Sequence, residues 1–255
     1  DMFTDQATFY DTAKYENTTN PYSEKSLENS PLARVLEQGA PGLDWQLDTT
    51  SDTDHTIKME YQTNSHNGVF TDMDYDNVKR FSVSYTGNEF TNMSLDDDGY
   101  YLAGELYKSI VKDENWQPNQ THTNDHTIEE FTDKLGRVVL KRTFNNNVRH
   151  DTYYVYDDYG NLTHVLPPLV DISNGISANE LAELCYQYTY DHRNRLIQKQ
   201  LPAKEKEYIV YDKLDRPILT QDANLRAENK WLFTKYDIFG RIAYTGLVIN
   251  SGDRI

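Results

Sequence analysis

From about residue 125 the chain repeats one short motif, and that repetition constrains its fold more than any other feature. Five segments share it: Thr132-Asp133-Lys134-Leu135-Gly136-Arg137, Tyr156-Asp157-Asp158-Tyr159-Gly160-Asn161, Tyr190-Asp191-His192-Arg193-Asn194-Arg195, Tyr211-Asp212-Lys213-Leu214-Asp215-Arg216 and Tyr236-Asp237-Ile238-Phe239-Gly240-Arg241. Successive aspartates lie 24, 34, 21 and 25 residues apart. Three positions after each stands Gly, Asn or Asp, the residue types that tolerate positive φ. An aspartate opening a turn accepts hydrogen bonds from backbone N–H groups two residues on. A type I turn followed by a left-handed residue closes a hairpin with a bulge. Each motif is therefore expected to be the tip of a β-hairpin.

The flanks agree. Tyr186, Tyr188 and Tyr190 alternate before one tip and Tyr154 and Tyr156 before another, while Val138-Val139-Leu140, Leu196-Ile197 and Ile242-Ala243-Tyr244 follow three of them. Alternation of this kind reads as strand. Five unrelated hairpins in a sandwich would not explain why Tyr-Asp, the positive-φ residue and a following Arg or Asn coincide. The first copy is the weakest, with Thr132 in place of tyrosine. Residues 126–255 are thus expected to form five hairpins, with an insertion at 169–184. There Ser177 with Glu180 three positions later gives the capping signature of one short helix.

Upstream the signal is weaker. Residues 1–20 lack a clear period and are expected to be an extended lead-in, followed over 21–125 by a β-rich region. In that region Ser30–Leu36 suits a helical turn or extended packing, and 56–61 and 80–85 alternate as strands. Leu102–Ile110 is a further strand, and Asp96-Asp97-Asp98-Gly99 is a turn. Both ends of the sequence read as cuts in something longer.

Composition narrows the functional classes. Lys and Arg number 25 against 41 Asp and Glu, a formal net charge of −16. A chain this acidic is repelled by phosphate backbones, so no nucleic acid is expected as partner. No apolar run approaches eighteen residues, so no membrane span is expected. Hydrophobic residues make up only 37%, which leans towards disorder, but 20 tyrosines argue for a half-solvated sheet instead. Cys185, the one cysteine, reads as a small buried hydrophobe.

No catalytic, cofactor or metal site is expected. Asp72, Asp74 and Asp76 alternate like the start of a calcium loop, but Asn77 and Val83 stand where Gly and Glu are required. They are expected to be a solvated acidic strand face. His122 and His126 are four apart in a loop-like stretch unsuited to zinc. A phosphate loop, a nucleophile elbow and a Ser-His-Asp context are all missing. Arg137, Arg195, Arg216 and Arg241 are expected to pair with carboxylates or turn carbonyls of neighbouring hairpins.

The Tyr-Asp-x-x-Gly-Arg repeats resemble the YD, or Rhs, repeats of bacterial polymorphic toxins, insecticidal toxin complexes and teneurins. Longer stretches, EFTDKLGRVVLKRTF at 130–144, YIVYDKLDRPILTQD at 208–222 and KWLFTKYDIFG at 230–240, are similar to Rhs-repeat proteins of Bacteroidetes. The upstream segments at 21–25, 30–32 and 38–42 resemble what precedes the repeats there. The resemblance implies an all-β fold in which consecutive antiparallel hairpins form a strip of a curved β-spiral shell. It implies a non-catalytic segment of a large secreted or cell-surface protein, enclosing a C-terminal toxin or cargo domain. Partners would be the rest of the same chain and, beyond it, export machinery or a surface partner. An interaction module binding glycan or protein through a Tyr-rich sheet is the alternative. Asp11-Thr12-Ala13 and Asp48-Thr49-Thr50 resemble O-glycosylation tripeptides of that phylum.

Overall fold

The computed structural model describes residues 2–48, 50–87, 92–173 and 175–249. Its elements in the first half are helix α1 (Met2–Tyr10) and strands β1 (Glu24–Leu27), β2 (Val35–Gly39), β3 (Ile57–Thr63), β4 (Lys79–Tyr85), β5 (Met93–Tyr100) and β6 (Tyr107–Lys112). Next come β7 (Thr127–Thr132), β8 (Val138–Asn145), β9 (Val148–Tyr156) and β10 (Leu162–Leu166). Helix α2 (Ala178–Leu184), β11 (Tyr186–Tyr190), β12 (Leu196–Gln200), β13 (Glu207–Tyr211) and β14 (Pro217–Gln221) follow. Helix α3 (Ala223–Ala227), β15 (Lys230–Tyr236) and β16 (Ile242–Ile249) complete the described chain.

Two compact units share these elements. The first comprises residues 1–67, 74–76 and 102–151; the second comprises 68–73, 77–101 and 152–255. In the first, strands order as β1-β2-β3-β6-β7-β8-β9, and in the second as β9-β10 through β16 in sequence, with β4-β5 a separate ribbon. The chain passes from one unit to the other within β9. Among the described residues the pairings are antiparallel; tight turns return most strands beside their predecessors, whereas β6 pairs with β3, with β4 and β5 between them in sequence. The all-β expectation of consecutive hairpins holds. The first repeat tip falls in the first unit and the other four in the second, so the units do not divide at residue 125.

In the first unit Leu106, Ile110, Phe131, Val139 and Leu140 are buried; in the second Tyr153, Val155, Leu166, Cys185, Ile197 and Trp231 are. Burial thins along the repeats: β12 buries two residues, β14 one and β16 none.

Several local expectations are corrected. Residues 1–20 are not extended: α1 is followed by a 3-10 turn at Ala13–Tyr15, and Phe9, Tyr10 and Tyr15 pack with ring centroids 5.0–5.3 Å apart. That aromatic cluster favours a helix without needing apolar periodicity. Ser30–Leu36 splits into a turn and the start of β2. Leu102–Leu106 is a turn held by Asn64, which donates to the Leu102 carbonyl and accepts from the Leu106 N–H; the strand begins only at Tyr107. Asp96–Gly99 lies inside β5 rather than in a turn. Lys79 reaches across to Asp97 at 2.7 Å, and Gly99 supplies the positive φ of a bulge where the register shifts. Helix α2 begins with the expected capping box, Ser177 and Glu180 each bonding the other's backbone N–H. The second insertion helix, α3, is capped by Asp222, whose side chain accepts the Leu225 N–H; its brevity hid it from periodicity.

Candidate functional site

The five aspartate turns are built alike. In each, the aspartate N–H donates to the carbonyl four residues on at 2.8–3.0 Å, and the N–H three residues on donates back to the aspartate carbonyl at 2.9–3.2 Å. Gly136, Gly160, Asn194, Asp215 and Gly240 take positive φ, between 57° and 83°. The register slips by one residue beside every tip, as a bulge requires.

The aspartate carboxylates divide their work. Oδ1 of Asp133, Asp157, Asp191, Asp212 and Asp237 accepts backbone N–H groups two residues on, at 2.8–3.0 Å. It also accepts those four residues on, at 2.8–3.1 Å. Oδ2 accepts the side chain four residues on. Arg137, Arg195, Arg216 and Arg241 donate through Nε at 2.7–2.8 Å, and Asn161 substitutes its amide at 2.9 Å. The arginines were expected to pair with neighbouring hairpins; instead each pairs first with its own aspartate. The bulge places the first and fifth turn residues on the same side of the tip, so the intra-turn partner is closest. Arg195 also reaches the next turn, at the Asp212 carbonyl (3.2 Å) and Asp215 Oδ1 (2.7 Å), and the charge of Arg216 acts on Asp237 of the turn that follows it.

These bonds favour the ionised carboxylate. In Asp212 and Asp237 the N–H of the following Arg216 or Arg241 is the largest influence and lowers the pKa. Burial raises that of Asp133 and Asp191, but their arginine partners outweigh it and the net shift is again downward.

Tyrosine supplies the link between turns, which the sequence reading missed. Tyr190 donates its hydroxyl to the Leu162 carbonyl, Tyr211 to that of Leu196 and Tyr236 to that of Pro217, at 2.9–3.0 Å. Each acceptor stands five residues after the aspartate of the preceding repeat. The same ring lies against the preceding arginine: Arg195 over Tyr211 at 4.9 Å and Arg216 over Tyr236 at 4.6 Å. The register between hairpins is constant too. His164 pairs with Gln187, Gln198 with Tyr208 and Leu219 with Phe233. In every case the seventh residue after one aspartate meets the fourth before the next. Unequal spacing is absorbed in the connectors, where the 169–184 insertion and α3 lie.

A buried ionic cluster in the first unit also escaped the sequence reading. Asp76, expected on a solvated face, is buried; its Oδ1 accepts Lys108 at 2.8 Å, and its Oδ2 accepts the N–H and hydroxyl of Ser65. Burial raises its pKa, but Lys108 and Ser65 together outweigh this and lower it. Lys108 also meets Glu129 at 2.8 Å. Arg142, with 1% of its surface exposed, grips both oxygens of Asp151 at 2.7 and 2.8 Å and donates to the Asp76 carbonyl. Phe131 lies 5.4 Å from both cations.

Cys185 is fully buried and burial pushes its thiol up to about 11, so it holds no thiolate at neutral pH. His126 pairs with Asp113 at 3.3 Å. Among the described residues no cluster of three His, Cys, Asp or Glu could hold a metal. A groove of 590 Å³ on β14, β15 and β16 is lined mainly by apolar residues, with Asp212 and Arg216 already engaged in their turn. Thr12 is exposed, while Thr49 lies outside the described residues.

Comparison with known proteins gives three findings. A family described as a domain of unknown function, DUF6443, matches residues 1–62. No curated protein matches. Among solved structures, the crystal structure of TcdB2-TccC3 without hypervariable C-terminal region is similar, at 14% identity and a TM-score of 0.45, over 88% of this chain and 10% of that one. The crystal structure of TcdB2-TccC3 is similar at 14% identity and a TM-score of 0.45, over 91% and 11% respectively. This chain spans about a tenth of the length of those solved chains.

Proposed function

We propose that this chain is a non-catalytic structural segment of a large secreted or cell-surface YD-repeat protein, building part of a β shell around a C-terminal toxin or cargo domain. The supporting observation is the constant junction. Four successive aspartate turns, at Asp157, Asp191, Asp212 and Asp237, are joined in one register whatever the connector length. Hairpins that meet through identical contacts can be added in any number, which is what a wall needs and a fixed active site does not. The partners on this reading are further repeats of the same polypeptide, the enclosed domain and an export apparatus. The similarity of the repeats to Rhs proteins of Bacteroidetes agrees with export.

The interaction-module reading has less support. It needs free tyrosine faces, yet Tyr190, Tyr211 and Tyr236 spend their hydroxyls on carbonyls, and Tyr211 and Tyr236 spend a face on arginine. The test is limited proteolysis of the whole protein from which this segment comes. An enclosed C-terminal domain is cut only after the repeats open. A domain cut as fast as its isolated form, or a tail of adhesion repeats with glycan-array binding, would sink the shell reading.

A further inference from the structure

A cavity of 440 Å³ lies in the first unit between residues 15–18 and residues 41–45. Asn20 ties the two segments together. The Gly42 N–H donates to the Asn20 carbonyl at 2.7 Å, and the Asn20 amide donates back to the Gly42 carbonyl at 3.4 Å. Gly42, at a φ of 119°, lets the Trp45 indole close on the backbone, since a Cβ there would stand 2.9 Å from Trp45 Cδ1. Trp45 is thereby held in place yet 40% exposed, and Tyr15 lines the same cavity from the other segment.

The polar side chains around these rings are not engaged by the fold. Among the described residues no hydrogen bond or ion pair joins the side chains of Glu16, Asn17 or Asp44 to the rest of the chain. Glu16 and Asn17 are also left-handed, at φ of 60° and 53°. Glycine takes that conformation freely, whereas a glutamate there is strained. The fold therefore gains nothing from the Glu16 side chain that glycine would not give. Two carboxylates without a cation, beside an exposed indole and a phenol ring, select positive charge. Ring faces attract ammonium groups, indole most strongly, and the Lys14 ammonium already lies 5.1 Å from the Tyr15 centroid. Pro41 and Leu43 add apolar surface beside the carboxylates.

We propose that this cavity binds a small aliphatic diamine or polyamine, with Trp45 and Tyr15 against its chain and Glu16 and Asp44 as counter-charges to its ammonium groups. Asn17 adds an amide carbonyl as a further acceptor. Methylene groups between two ammonium groups match the apolar surface between the carboxylates. An anionic ligand would meet repulsion here. A saccharide would need more donors than the Asn17 amide and the Trp45 N–H supply. The proposal is independent of the shell reading, because the cavity lies outside the repeats and needs no enclosed domain.

The test is isothermal titration of the full chain with spermidine and putrescine, at ~0.15 M ionic strength so that the net charge of −16 is screened. A saturable site is expected, and Trp45→Ala and Asp44→Asn should each weaken it at least ~10-fold. Glu16→Gly separates binding from folding: it should weaken spermidine binding at least ~5-fold while Tm stays the same or rises. Glu183→Gln, which removes one exposed carboxylate from helix α2, should leave the affinity unchanged. Absence of a saturable site, an equal loss in Glu183→Gln, or tighter binding of maltose than of spermidine would each overturn the proposal. So would a Glu16→Gly chain whose Tm falls by ~3 °C or more with its affinity intact. Protease protection of a C-terminal domain decides the shell reading separately, whichever way the titration falls.

Discussion

The two compact units hold their strands together by opposite means. In the first, five charged side chains from distant segments (Asp76, Lys108, Glu129, Arg142 and Asp151) converge on a buried phenylalanine, and no part of the arrangement repeats. In the second, the turns at Asp157, Asp191, Asp212 and Asp237 restate one arrangement with small substitutions, each held by bonds that span four residues. The first fixes one geometry, because Lys108 and Arg142 each hold carboxylates from separate segments in one arrangement. The second spreads stability over interchangeable joints, each worth little. Extension is possible only in the second kind.

This contrast can be broken or sharpened by measurement. The largest effect is expected from Arg142→Ala, which empties the buried guanidinium site and leaves the half-buried Asp151 without its bidentate partner; it should cost about 3–5 kcal/mol in urea unfolding. A loss below ~1 kcal/mol would show that the cluster does not organise the first unit. Gly136→Ala comes next. A Cβ there would meet nothing within 4 Å, so the whole cost is that of holding alanine at a φ of 80°, about 1–2 kcal/mol. Asn194→Gly, at a φ of 57°, should change stability by only a few tenths of a kcal/mol. Similar losses at both positions would refute a purely conformational account of the tips.

Removing one inter-repeat hydroxyl through Tyr236→Phe should cost about 0.5–1.5 kcal/mol, less than Arg142→Ala by a clear margin. A larger loss would mean that the repeats are not independent joints. The smallest effect is on pH dependence. Asp133, Asp191, Asp212 and Asp237 have folded pKa values below their ordinary range. The unfolded chain therefore binds protons first, near pH ~3.9. Their stabilisation is complete above that pH and is lost as pH falls through the folded values. Asp191→Asn should lower stability at pH 7 and flatten the acid limb slightly. An unchanged limb would show that the carboxylate charge at this turn is immaterial.

The tips were legible because their chemistry is local. An aspartate, a residue able to take positive φ three positions later and a partner four positions later lie within one turn, so spacing alone reveals them. The capping box of Ser177 and Glu180 is readable for the same reason. The arginine partners were misread because the sequence cannot say whether a guanidinium turns back to its own aspartate or onward to the next hairpin. Helix α1 was missed because its support, the packing of Phe9 and Tyr10 on Tyr15, follows no helical period.

The sequence by itself determined that this is a chain of antiparallel hairpins, where each one turns and which residue bends left-handed at every tip. Backbone conformational preference acts over a few residues and is written there. Tertiary structure alone decided that tyrosine hydroxyls reach carbonyls of the previous repeat and that the junction register is constant. It also decided that Asp76 is buried against Lys108 rather than solvated. Those outcomes join groups 15 to 66 residues apart. Pairing across such distances depends on which strands the fold brings side by side, and no local spacing encodes it.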